Sequence, residues 1–180
     1  MNIRSITYFF DPGWPLDDER LVHAGGFIEA ARPAFAAHHT VQTARLATPP
    51  FGSIMQDVDA EHLIDLALLL EAAAKTLHYD YIALGPARLD QPEEYTLIPQ
   101  VLKETERTFF SAEMATPEKG ISLSAVRACA AIIHALAPLD PNGFSNLYFT
   151  ALANVGPGSP FFPAAYHDGR EPAFAIATES

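Results

Sequence analysis

Apolar and polar positions alternate between two periods along the chain. Residues 3–10 (IRSITYFF) are rich in β-branched and aromatic side chains and run into DPGWP, which predicts a strand ended by a turn. Asp17 or Asp18 then caps a helix reaching about His38, which Gly25, Gly26 and Pro33 should make irregular or kinked. Residues 41–47 (VQTARLA) read as the next strand, stopped by TPPFG. Asp59 opens the clearest helix, with Leu63, Leu66, Ala67, Leu70, Ala74 and Leu77 on one stripe. Residues 79–85 (YDYIALG) form a strand, and Pro99 suits the first turn of a helix reaching about Arg107.

Residues 108–114 (TFFSAEM) predict another strand. Ser122 caps a helix expected to face inward through Leu123, Val126, Ala130, Ile133 and Ala137. NLYFTALA is apolar throughout, so its period decides neither helix nor strand. Residues 172–178 (PAFAIAT) read as a last strand. Strands alternating with helices at this spacing imply an α/β fold with a mostly parallel sheet. Residues 1–180 are expected to form a single α/β domain. A chain ending where a strand should hand over to its next helix is expected to be the N-terminal portion of something longer.

In such sheets the strand exits share a rim where ligands bind. The exits here fall at Asp11–Pro12–Gly13–Trp14, Thr48–Pro49–Pro50–Phe51 and Gly85–Pro86–Ala87–Arg88, then near Glu113 and Thr116, and at Thr178–Glu179–Ser180.

Charge narrows the partner. Eleven basic residues against 22 acidic ones give −11, and no Lys/Arg cluster offers phosphates a footprint, so a nucleic-acid partner is not expected. The apolar stretch around residues 63–77 carries Asp65, Glu71 and Lys75, which argues against a membrane span. With no basic leader and one cysteine, a soluble cytoplasmic protein is expected, taking a small-molecule ligand.

The blocks IRSITYFFDPGWP, TARLATPPF, YIALGPARLD, GISLSAVRACAAIIHAL and NGFSNLYFTALANVGPGSPFFPAAYHDG resemble the family called domain of unknown function 711, or uncharacterised protein family 0210. The resemblance runs along essentially the whole chain. It implies the N-terminal part of a ten-stranded α/β barrel of the pyruvate formate-lyase type, and it implies no reaction, cofactor or catalytic residue. Glycyl-radical chemistry, known in relatives of that barrel, needs an active-site cysteine. Cys129, on the apolar stripe of its helix, reads as a buried structural thiol, which disfavours that chemistry.

Candidate chemistry comes from the rim and from residues 154–169, NVGPGSPFFPAAYHDG. Glu113 and Glu179 lie at strand exits and are candidates to move a proton. His167 in YHDG is a candidate acid–base group, against the alternative of a turn at Asp168–Gly169 with Tyr166 closing over the core. Gly156 and Gly158 bring backbone amides near a bound anion, although Pro157 and Pro160 remove two donors. Ser159 is a contact candidate rather than a nucleophile, because Pro160 follows it where an elbow needs another residue. Asn142 and Asn146 either orient a ligand or cap turns after Pro141. Arg45 sits inside an apolar strand, so its charge pairs with Glu113 or Glu179 or holds an anionic ligand. The acids of DVDAEH (residues 57–62) fit helix capping, and no metal site is assigned. Two readings result: an enzyme acting on a small polar or anionic metabolite at the rim, or a non-catalytic metabolite-binding protein. Strand edges left open would favour a homo-oligomer.

Overall fold

The computed structural model describes residues 2–55 and 58–179. In chain order the elements are β1 (Asn2–Phe9), α1 (Asp18–Ala36), β2 (Val41–Pro50), α2 (Phe51–Ile54), α3 (Ala60–Thr76), β3 (Tyr81–Ala87), α4 (Glu94–Glu104), β4 (Thr108–Thr116), β5 (Gly120–Ile121), α5 (Leu123–Leu136), β6 (Phe149–Ala153) and β7 (Ala173–Glu179). Two 3₁₀ turns, Ala137–Leu139 and Phe144–Tyr148, join α5 to β6.

Strands β1, β2, β3, β4 and β6 lie side by side in that order, and all four pairings are parallel. Crossovers of one hand that always step in one direction leave every helix on the same side of the sheet. Ile28 of α1, Leu66 of α3, Ile98 of α4 and Ile132 of α5 accordingly join a single cluster with Ile6, Leu46, Ile82 and Phe110 of the strands. The other face carries Phe9, Ala47 and Ala83, and is covered by Ala165 and Phe162 of the long segment between β6 and β7. Both faces are thus buried, and the central strands show continuous burial rather than alternation.

The sheet is open. β7 runs antiparallel to β1 at one edge, and β6 has β4 as its one partner among the described residues. The large, mostly parallel α/β sheet expected from the pattern is present; a closed barrel is not.

Several local expectations shift for physical reasons. Asp17 is the cap of α1, accepting from the Glu19 and Arg20 amides. The helix runs unbroken past its glycines, because a Cβ on Gly25 would lie 2.7 Å from Leu77 Cδ2, so the glycine permits close packing against the end of α3. α4 starts at Glu94, one turn earlier than Pro99 suggested, since burying Tyr95 with Ile98 and Val101 needs that turn. NLYFTALA divides into a 3₁₀ turn and β6. The inward face of α5 is Ala125, Cys129, Ile132 and Leu136, while Leu123 (70% exposed) and Ile133 (46%) face outward. The expected stripe is therefore wrong. Arg127 and His134 take the opposite, exposed face, and the small Ala125 and Cys129 let the helix approach β4, with the Cys129 sulfur 4.0 Å from the Ala112 carbonyl oxygen.

Phe110, fully buried and edge-on to Phe51 at 5.6 Å, anchors the helix-side core. Phe110→Ala is expected to cost about 3–5 kcal/mol, read as a lowered urea midpoint at unchanged m-value.

Candidate functional site

Parallel strands deliver their C-terminal ends to one rim, and the loops after β2, β3 and β4 meet there. Two carboxylates grip adjacent amides of the loop after β3. Glu94 Oε2 accepts from the Arg88 amide at 2.9 Å, and Glu113 Oε2 accepts from the Leu89 amide at 3.2 Å. Tyr95 ties the two together by donating its hydroxyl to the Glu113 carbonyl at 2.6 Å.

Glu94 is 3% exposed, at the start of α4 and on that helix's inward stripe. Its carboxyl group lies against Gly52, where a Cβ would come 2.8 Å from Glu94 Cδ, so the glycine makes room for the acid. Burial pushes the Glu94 carboxyl up to about 7, against the Arg88 amide and the Arg88 charge, which pull it down. The Arg88 guanidinium lies 3.9 Å from Glu94 Oε1, and its Nε is buried with no partner among the described residues. Both residues line a cleft of about 1020 Å³, walled by Ser53, Met55 and Asp59 on one side and Gln91 and Glu93 on the other.

The segment of residues 154–169 packs across the face opposite the helices. The Pro160 carbonyl accepts from Thr7 Oγ1 at 3.2 Å, Phe162 lies edge-on to Phe109, and the His167 amide donates to the Thr48 carbonyl at 2.9 Å. Thr48 Oγ1 accepts from the Gly85 amide at 3.2 Å, so the segment, β2 and β3 are tied together at the rim.

The expected site residues separate into four sets. Glu113, Tyr166 and His167 lie at or near the rim. Tyr166 is buried with its hydroxyl on the Val155 carbonyl at 2.9 Å, and burial raises it to about 12. His167 is 3% exposed; its Nε2 lies 3.1 Å from the Glu171 carbonyl, and its buried Nδ1 has no partner among the described residues. That geometry braces the segment and keeps the ring from solvent.

Gly158, Ser159 and Gly156 act as loop geometry. The Gly158 amide is spent on the Tyr166 carbonyl at φ +85°, Ser159 Oγ accepts from the Phe161 amide at 3.5 Å, and Gly156 is exposed. Arg45 sits five residues short of the β2 exit, roughly 17 Å of strand. Its Nε donates to Thr43 Oγ1 at 3.0 Å and its guanidinium lies 5.0 Å from the Phe162 ring centroid. Neither expected carboxylate partner reaches it, and burial together with Arg4 lowers its affinity for the proton.

Glu179, Asn142 and Asn146 lie away from the rim, which corrects their assignment to it. The antiparallel course of β7 pairs Glu179 with Asn2, at the N-terminal end of the sheet, where it meets Gln42 at 2.5 Å and Arg4 at 4.0 Å. Asp140 caps the turn by accepting from the Asn142 backbone amide at 2.8 Å, and Asn146 lies in the 3₁₀ turn before β6 begins. Asp59 caps α3 and pairs with His62 at 2.9 Å, while Asp57 lies outside the described residues.

Sequence reading missed Glu94, Arg88 and Gly52. One signal was available: Glu94, Ile98 and Val101 share i, i+4, i+7 spacing, which puts a carboxylate on an apolar stripe.

No helix among the described residues is long and apolar enough to cross a membrane. A family model described as "Uncharacterised ACR (DUF711)" matches residues 1–180. The chain is 29% identical over 142 residues to a UPF0210 protein of Acetivibrio thermocellus, covering 73% of this chain and 31% of that one. It is 28% identical over 168 residues to a UPF0210 protein of Halothermothrix orenii, covering 88% and 37%. The chain thus spans about a third of the length of the curated relatives it matches. With the full-length match and these relatives together, the chain belongs to the DUF711 family, whose curated members bear the name UPF0210 protein.

Proposed function

We propose that the rim cleft is the site of a cytoplasmic enzyme acting on a small polar or anionic metabolite by proton transfer. The observation that carries this reading is Glu94, a carboxylate buried beside the cleft and held near 7, where one group serves as acid and base at neutral pH. Arg88 holds an acidic group of the substrate, taking the role first given to Arg45, and Glu113 on the neighbouring amide is the second proton carrier. The −11 charge supports a small-molecule substrate rather than nucleic acid.

The resemblance to pyruvate formate-lyase-type barrels gains support from five adjacent parallel strands with helices on one face. The full ten-stranded reading requires both β6 and β7 to gain neighbours. Radical chemistry remains disfavoured for this segment, because Cys129 lies in the helix-side core, where burial pushes its thiol up to about 11.

The test is incubation of the protein with small metabolite mixtures, followed by mass spectrometry of both bound and converted species. Wild type should retain and convert a small acidic compound, Glu94→Gln should retain it unconverted, and Arg88→Met should lose retention by about tenfold or more. Retention without conversion by wild type would favour the non-catalytic binding reading. Retention unchanged in Arg88→Met would remove the cleft from consideration.

A further inference from the structure

Arg88 faces two claims on one positive charge. Its main-chain amide donates to Glu94 Oε2 at 2.9 Å, and its guanidinium lies 3.9 Å from Glu94 Oε1. It is also the one cationic side chain lining the cleft among the described residues. An ionised Glu94 therefore neutralises the group that an anionic ligand needs, and repels that ligand at close range. Glu94 cannot step aside, since it is 3% exposed and wedged against Gly52.

The surrounding charges sharpen the conflict. Asp59 and Glu93 also line the cleft, Asp90 lies in the loop after β3, and Glu113 holds the Leu89 amide of that loop. Asp90 has its own cation in Lys119 at 3.5 Å, and Asp59 is paired with His62 at 2.9 Å. Glu93 and Glu113 have no cation within ion-pair distance among the described residues. A proton on Glu94 is what releases Arg88. The neutral carboxyl still accepts from the Arg88 amide, and burial favours this form, which persists up to about pH 7.

We propose that the cleft takes a monocarboxylate as its ligand, and that Glu94 takes up one proton as this ligand binds to Arg88. The proposal rests on the rim cleft being the ligand site. Two carboxylate oxygens match the guanidinium fork, whereas a second negative charge on a dicarboxylate or phosphate would face Asp59 and Glu93 with no counter-charge. Linkage is reciprocal, so the bound carboxylate strengthens Glu94's hold on its proton by the same factor as the proton strengthens binding. Affinity is full while Glu94 is protonated and falls as pH rises through about 7.

The test is titration with acetate, benzoate, succinate and inorganic phosphate at pH 6 and pH 8, followed by the NMR shifts of the Arg88 and Leu89 amides. Wild type should bind the monocarboxylates about tenfold more weakly at pH 8 than at pH 6, and the two dianions more weakly still. Glu94→Gln has no charge to compete, so it should bind equally at both pH values and more tightly than wild type at pH 8. A pH effect arising at His62 would instead survive in that variant. Calorimetry of the wild type in buffers of different ionisation heat needs no variant, and should show uptake approaching one proton per carboxylate at pH 8. Binding that needs Arg88 but is independent of pH, a pH effect surviving in Glu94→Gln, no proton uptake, or tighter binding of succinate or phosphate would each overturn the proposal while leaving the cleft as the ligand site. Binding undiminished in Arg88→Met, or no shift of the cleft amides by any probe at pH 6, would overturn the cleft reading and this proposal with it.

Discussion

Gly85→Ala is expected to destabilise the protein by about 3 kcal/mol, a large share of an ordinary stability of about 5–15 kcal/mol. Gly85 pairs with Pro50 where the β2–β3 register shifts after Ala47. A Cβ there would lie 2.5 Å from the Pro49 carbonyl carbon and 2.6 Å from the Pro50 nitrogen. These are backbone atoms of a neighbouring strand, so no side-chain rotation relieves the clash. The Gly85 amide also donates to Thr48 Oγ1, and the Thr48 carbonyl holds the His167 amide. Displacing β3 therefore disturbs the rim and the covering segment together. Gly26→Ala is the matching control. Gly26 lies within α1 with nothing within 4 Å of its Cβ position, so alanine should stabilise by about 0.5–1 kcal/mol. Urea midpoints of both variants give the comparison. Equal midpoints for Gly85→Ala and wild type would mean that the close approach of the two strands is relaxed in solution.

Glu94→Gln is expected to flatten the pH dependence of stability between about pH 4.5 and 7. The sign follows from proton counting. The native carboxyl holds its proton up to about 7, while the unfolded one loses it near 4.5, so across that window the native state binds more protons. Stability is then complete below 4.5 and declines as pH rises through 7, by about 3 kcal/mol at about 1.4 per pH unit. Glutamine can still accept from the Arg88 amide and has no charge to bury. The variant should therefore match or exceed wild-type stability at pH 8 and lose the advantage of low pH. Melting curves of both proteins at pH 5 and pH 8 measure this directly. A residue whose removal stabilises the fold is retained for another reason, which is the pattern expected of a functional group. A wild-type slope surviving in Glu94→Gln would transfer the effect to a different carboxylate and weaken the proposed proton-transfer site.

The two long apolar helices show how far the pattern could be read. In α3 the polar residues Glu61, Asp65 and Glu71 define an outward face, so Leu63, Leu66, Ala67, Leu70 and Ala74 could be assigned inward, and all five are buried. In α5 the expected stripe followed the larger aliphatic side chains, although the exposed Arg127 and His134, seven residues apart, mark an outward face opposite Ala125, Cys129, Ile132 and Leu136. The site was likewise legible only in part. Residues 108–114 were legible as a strand, which put Glu113 near the rim. Glu179 was placed there by the same rule, but β7 runs the other way, and strand direction depends on which partner it finds. Glu94 acquires its raised pKa from burial against elements such as the one carrying Gly52, with the Arg88 amide and charge pulling the other way, and those residues lie far from it in sequence or across a loop, so no local window shows it.

The segment of residues 154–169 was legible as a stiff connection rich in glycine and proline, and its contacts were not. Its prolines and glycines could be counted, but its packing against Thr7, Phe109 and Thr48 arises from three different strands.

By itself the sequence determined the alternation of strands and helices, the parallel character of the sheet, the caps at Asp59 and Ser122 and the family membership, because these rest on local periodicity, capping chemistry and long matched blocks. Only the tertiary structure decided which way β7 runs, and that Arg88, Glu94 and Gly52 share a cleft while Arg45 and Glu179 stand apart. Those outcomes depend on which distant segments meet, and burial, strand pairing and pKa are properties of the neighbours a residue acquires.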